Sequence, residues 1–401
     1  MFAFRNQPFK TLYLLIFIPV TLFVRLPYWV LISAIPAFRP HKTWSLKRTI
    51  SLYVIIVANN LPFQIGFRAP PGDPAKDSVS PETTGFAWVD AVPEQLVTGE
   101  LAELARQNQV KPARIFGYWY GVRDEHGKPG QHAAKGERVL YYIHGGGYVK
   151  GSSHPSSMWT NIPKGFVEKC ANIAKRSFAV ESRLSSSAPF KPENPFPASV
   201  IDALSGYRYL VEVLGFETQN IIVSGDSSGG HVASNLVRYL INASLSGLAA
   251  PGALFLLSPT MDWANTHLGT AASTMEQNHA TDFVREVLLN GYSATSMRGS
   301  LDASELETNP WLSPASLKLE QTEGLFANYP PTAIVAGSLE QTVDAMRTFR
   351  DRLESDSGRD KVVYFEYPNV FHDWLMVTSL EPERSQAYSD LGKWLNGVYG
   401  V

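Results

Sequence analysis

The sequence predicts an α/β fold, a mostly parallel central sheet flanked by helices with a helical cap, on three observations. From about residue 112, short runs of strand-forming residues alternate with helical segments, an order that stacks helices on both faces of one sheet. Two of those runs end in glycine-rich turns, Gly225-Asp226-Ser227-Ser228-Gly229-Gly230 and His144-Gly145-Gly146-Gly147-Tyr148. Between about 262 and 325 the alternation lapses into polar, helix-biased sequence, as an inserted cap would.

The strand runs in chain order are RIFGYWYG, RVLYYI, SFAVE, NIIVS, ALFLL, TAIVA and VVYFEY. Helices are expected over 161–175, 199–214 and 229–245, with a closing helix near 383–397. Residues 68–84 are rich in Pro, Ser and charge and read as a linker or exposed loop. The expected division is a hydrophobic N-terminal segment over 1–68, a linker and cap-associated region over 69–111, and a catalytic domain over 112–401 carrying the insertion at about 262–325.

Composition bounds the function. A chain of 401 residues with 44% hydrophobic, 18% charged and 12% aromatic residues can bury a large core. With 35 basic and 37 acidic residues, it offers no electrostatic reason to expect a nucleic-acid partner. Cys170 is the only cysteine, which excludes an intrachain disulfide, a thiolate cluster and a Cys-x-x-Cys redox pair. It is expected to pack in a helix.

Thr11 to Phe38 is almost wholly apolar and long enough to cross a bilayer. Pro19 and Pro27 would kink such a helix, and Arg25 sits in its middle. Basic residues flank it on both sides, so they assign no orientation. Three readings stand: a retained membrane anchor, spanning or monotopic; a cleavable signal peptide; or a buried helix of the cap. The expected location is a membrane, that of the endoplasmic reticulum, with secretion as the alternative. A second apolar run, Ile50 to Ala58, is too short to span and should pack on the body or the bilayer surface.

The first glycine-rich turn follows the strand NIIVS and opens a helical pattern, the context of a nucleophile elbow. A strand turning sharply into a helix holds its central Ser in strained backbone, and side chains two positions either side would collide there; Gly225 and Gly229 remove that collision. The helix N-terminus behind Ser227 favours developing negative charge. A Gly-x-Ser-x-Gly arises by chance in about one chain in seven of this length, so the flanking strand and helix carry the weight. Ser228 is the weaker nucleophile, one step into the helix.

The second turn follows RVLYYI. Acyl transfer builds an alkoxide on the carbonyl oxygen, and consecutive glycines let backbone N–H groups approach it unobstructed. Gly146 and Gly147, with Gly145 as a third possibility, and the N–H of Ser228 form the expected oxyanion hole. A phosphate cradle is excluded, because neither a Gly-Lys-Ser/Thr ending nor Gly-x-Gly-x-x-Gly is present. His144 is read as orienting the loop.

Together these motifs resemble the hormone-sensitive lipase family of α/β hydrolases, whose marks are a His-Gly-Gly-Gly loop and a Gly-Asp-Ser-x-Gly-Gly elbow. Similarity extends to Arg183-Leu184, Phe196-Pro197-Ala198 with Asp202, Leu257-Ser258-Pro259, and Asn309-Pro310-Trp311-Leu312-Ser313-Pro314, and covers about residues 112–400. The segment between Leu184 and Phe196 is more Ser-rich than the family's usual form. The N-terminal stretch is similar to that of membrane-associated fungal members, including those akin to steryl acetyl hydrolases.

The resemblance implies the order Ser, acid, His. The family pattern Gly-x-x-Asp-x-Leu-x-Asp falls on Gly337 to Asp344 and lays the catalytic acid on Glu340, with Asp344 as its rival. Glu for Asp is a departure, since the longer side chain must fold back to reach an imidazole; some triads do use Glu. The catalytic histidine falls on His372.

The expected activity is carboxylic ester hydrolysis through an acyl-enzyme, Ser227 attacking, His372 acting as base and Glu340 fixing its tautomer. No metal and no organic cofactor is called for. The expected partners are a small lipophilic ester, such as a sterol or terpenoid acetate, and a membrane; oligomeric state is left open. The alternatives are an acyltransferase or amidase using the same groups, and a non-catalytic binding protein on this scaffold.

Overall fold

All seven apolar runs form strands, and an eighth joins them. A computed structural model describes residues 1–67, 70–270 and 272–400. Its strands are β1 (Phe86–Val89), β2 (Ile115–Gly121), β3 (Val139–Ile143), β4 (Arg176–Glu181), β5 (Ile221–Asp226), β6 (Ala253–Leu257), β7 (Thr332–Gly337) and β8 (Val362–Tyr367). They build one sheet in the order β1-β2-β4-β3-β5-β6-β7-β8. β1 and β2 are antiparallel additions at one edge, and every pairing from β4 to β8 is parallel. β3 to β6 are buried along their whole length, which is why their sequences show no apolar-polar alternation.

β1 lies in the stretch expected to be linker. Its four residues are too few to show alternation, but Phe86 stacks on Phe116 of β2 at 5.4 Å between ring centroids. Tertiary pairing sets this strand.

The longer helices are α1 (Phe9–Val20), α2 (Leu26–Ser33), α3 (Leu46–Asn60), α4 (Asn161–Lys169), α5 (Ala198–Arg208), α6 (Ser228–Ala243), α7 (Val343–Ser357) and α8 (Glu383–Tyr399). α4 packs with α8, α5 with α6, and α7 lies against β7 and β8. α4 stops six residues short of the expected 175: buried Cys170 caps it and donates from Sγ to Tyr388 O at 3.3 Å, turning the chain toward β4. Arg183 and Asp202, both among the residues of the family resemblance, pair at 2.8 Å, the carboxylate buried and the guanidinium partly so, and tie the loop after β4 to α5.

α1 and α2 are joined by a π-helical turn, Thr21–Arg25, into one apolar helix of 25 residues that leaves its apolar stretch unburied. This wider turn, closed by Leu26 N donating to Thr21 O, directly precedes Pro27 and accommodates its ring and missing N–H, while Pro19 lies inside α1. A helix so bare is not buried in a cap, and that reading is withdrawn. Both ends return to the body. Phe2 N donates to Phe63 O at 2.6 Å and the Phe2 side chain is buried. Beyond the other end, Trp44 is buried and donates from Nε1 to Asn369 O at 2.7 Å.

Residues 262–325 hold four short helices, Thr274–Gln277, Arg285–Leu289, Tyr292–Arg298 and Glu305–Thr308, and no strand among the described residues.

Candidate active site

Five neighbouring strands deliver the chemistry at their carboxyl ends, where an open parallel sheet presents its loops. The glycine loop follows β3, Ser227 follows β5, Ser258 and Thr260 follow β6, Glu340 follows β7 and His372 follows β8.

Ser227 stands at the turn from β5 to α6 with φ 50° and ψ −120°, a conformation that costs a non-glycine residue about 1–3 kcal/mol. The turn is too tight for flanking side chains. A Cβ on Gly225 would lie 2.3 Å from Gly229 O, and one on Gly229 would lie 2.2 Å from Ile143 O. Both glycines are therefore set by contact with backbone that cannot yield.

His372 is buried, and its Nδ1 lies 3.0 Å from Glu340 Oε2. Glu340 is fully buried and folds back on itself: its Oε1 accepts from Gly337 N at 2.5 Å and from Ser258 Oγ at 2.8 Å. Asp344 points elsewhere, accepting from Thr274 N at 2.8 Å. The other imidazole nitrogen of His372, Nε2, makes no hydrogen bond among the described residues; the Asp373 carboxylate lies 3.3 Å from it. Ser227 Oγ is turned to Thr260 Oγ1, 3.3 Å away.

The glycine loop departs from expectation in two members. Gly145 N donates to Asp226 Oδ1 at 2.8 Å, and Gly147 N donates to Ser228 Oγ at 2.9 Å. The Ser228 hydroxyl draws the Gly147 and Tyr148 N–H groups to itself. The N–H groups of Gly146 and Ser228 donate to no protein acceptor among the described residues. His144 keeps to the loop, its Nδ1 2.8 Å from Gly145 O, and burial pushes its pKa down to about 4, so it is neutral.

Ser227, His372, Gly146 and Gly147 line one pocket of about 440 Å³, within the range of small-molecule sites. Its other walls are chiefly apolar: Val54 and Ile55 of α3 on one side, and Trp263, Phe283 and Leu288 of the 262–325 stretch on another.

Three groups at the site were not foreseen. Asp282 accepts from the backbone N–H groups of His372 at 3.1 Å and Gln341 at 2.7 Å, joining the two loops; burial raises its pKa to about 6. Lys150 projects into the pocket wall, donating from Nζ to the Asn59 side chain of α3, and burial lowers it to about 8 against the pull of Asp373. Thr260 holds Ser227 by both side chain and backbone, its N donating to Ser227 O at 3.0 Å. No sequence motif marks them; each acts through contacts across long stretches of chain. Burial alone would lower the pKa of His372, but the carboxylates of Asp373, Glu340 and Asp282 outweigh it and raise it.

This sheet, with its loop chemistry at the carboxyl ends, defines the α/β-hydrolase class. A family model described as "alpha/beta hydrolase fold" matches residues 140–376. The chain belongs to that family. It is 29% identical to an acetyl-hydrolase of Streptomyces hygroscopicus over 263 residues, 66% of this chain and 77% of the relative. It is 27% identical to an esterase of Acinetobacter venetianus over 309 residues, 75% of this chain and 88% of the relative. A solved esterase from the bacterial hormone-sensitive lipase family superposes with a TM-score of 0.55 at 21% identity, over 86% of this chain and 97% of that one.

Proposed function

We propose that this carboxylic ester hydrolase works through Ser227, His372 and Glu340 on a lipophilic ester. One observation carries the reading: Ser227 and His372 share the wall of one apolar pocket, with the far nitrogen of the imidazole on a fully buried carboxylate. Rotation about the Ser227 Cα–Cβ bond carries Oγ from Thr260 toward the unbonded Nε2 of His372, and such contacts tighten when substrate binds. His372 takes the hydroxyl proton as Oγ attacks the carbonyl carbon, and Glu340 steadies the imidazolium. The oxyanion is held by Gly146 and Ser228 N–H, each worth about 3 kcal/mol. His372 returns the proton to the leaving alcohol, and water then releases the acid.

The cap consists of α3 and residues 262–325, whose side chains enclose the pocket. The acetyl-hydrolase relative favours a short acyl group; the apolar walls favour a bulky apolar alcohol, such as a sterol or terpenoid. The bare helix Phe9–Ser33 supports membrane attachment. Its two tethered ends, at Phe63 and at Asn369, favour a helix lying in one leaflet.

Turnover of an ester panel by wild type and Ser227→Ala tests the reading. Apolar acetates should be cleaved best by wild type, and the variant should lose at least 10³-fold, the scale of losing a triad member. Comparable rates in the variant, or preference for polar esters, would refute it.

A further inference from the structure

The active-site pocket has a neighbour. A second cavity of about 800 Å³ adjoins it, and Val54, Ile55, Met158 and Met376 line both. The partition between them is thus four apolar side chains, two of them methionines, which are unbranched and yield readily. The far side of the second cavity is lined by Val30 of α2, Ser51 of α3 and Thr378 beyond the His372 loop. Val30 belongs to the bare helix, and its neighbour Leu31 is 74% exposed. Between the face of Phe9–Ser33 and the pocket that holds Ser227 there thus stand only this outer space, with Lys47 and Asn161 also on its wall, and the four apolar side chains of the partition.

We propose that the second cavity is a lateral port: an ester dissolved in the bilayer slides through it toward Ser227, and its apolar alcohol body lodges there during attack. The proposal rests on the membrane reading given above and specifies how substrate arrives. The physical reason is partition. Each methylene favours the bilayer by about 0.8 kcal/mol, so the aqueous concentration of such an ester falls roughly fourfold with each. A mouth open only to water would be starved of substrate, whereas an apolar groove beside a helix immersed in lipid draws on the concentrated pool. A short, water-soluble ester needs no such port and can reach the active-site pocket from solvent.

Full-length protein reconstituted on phosphatidylcholine vesicles carrying cholesteryl acetate provides the test, with p-nitrophenyl acetate in the aqueous phase as comparison. Ser51→Trp and Thr378→Trp each fill the second cavity at residues that do not line the active-site pocket. The expected result is a fall of tenfold or more in hydrolysis of the vesicle-borne ester by both variants, with p-nitrophenyl acetate turnover within twofold of wild type. Vesicle-borne turnover within twofold of wild type in both variants overturns the port, as does an equal loss of both activities in both. Wild-type protein that cleaves p-nitrophenyl acetate yet does not sediment with the vesicles overturns the membrane reading instead, and the port with it.

Discussion

At the scale of single residues, the site is a contest between burial and charge. Burial disfavours the imidazolium of His372, but the surrounding carboxylates favour it more, so its pKa is raised. Catalysis needs the neutral base, so kcat/KM should climb with pH along an acid limb whose midpoint lies above the ordinary histidine value of about 6.5. Asp282→Asn removes one of the negative charges that favour the imidazolium, and the midpoint should fall. A midpoint at or below 6.5 in wild type, or an upward move in the variant, would contradict this electrostatic picture. Glu340→Gln keeps the shape but not the charge beside Nδ1, and kcat should drop about 10³- to 10⁴-fold. Asp344→Asn should leave kcat within a few-fold, because Asp344 serves Thr274 N and not the imidazole. Steady-state kinetics on the two variants separates the rivals that the family pattern left side by side.

At the scale of elements, legibility followed locality. The elbow could be read from sequence because part of its steric demand lies within five consecutive residues, where a Gly225 Cβ would come within 2.3 Å of Gly229 O; Gly229 itself would meet Ile143 O of β3 at 2.2 Å. Gly229→Ala should destabilise the fold by about 1–3 kcal/mol, measured as a lower urea midpoint. An unchanged midpoint would mean the elbow is slacker than its geometry states. β1 escaped notice because four residues carry no periodicity and Phe86 is set by packing on Phe116 and Tyr118 of β2, some thirty residues on. Asp282 was equally silent: its partners His372 and Gln341 are 90 and 59 residues away. The engagement of Gly145 and Gly147 was invisible for a related reason, since it depends on where Asp226 and Ser228 send their side chains, not on which residues precede them.

At the scale of the molecule, the N-terminal segment is tied to the site. Trp44 and Arg48 hold the backbone of Asn369, three residues before His372, and Arg48 pairs with Glu383 of α8 at 2.6 Å. The sequence showed the apolar run but not this grip, which arises only once α3 lies over the pocket. A helix fastened to one body at both ends keeps its ends on one side of a bilayer. Epitope tags at the two termini of vesicle-bound protein should therefore be cut by added protease together; protection of the N-terminal tag alone would indicate a spanning helix. The claim on which all else depends is the identity of the nucleophile, and a fluorophosphonate that labels activated serines tests it most directly. Peptide mapping by mass spectrometry should place the adduct on Ser227, with labelling abolished in His372→Ala; an adduct on Ser228 or on any other serine would contradict the account.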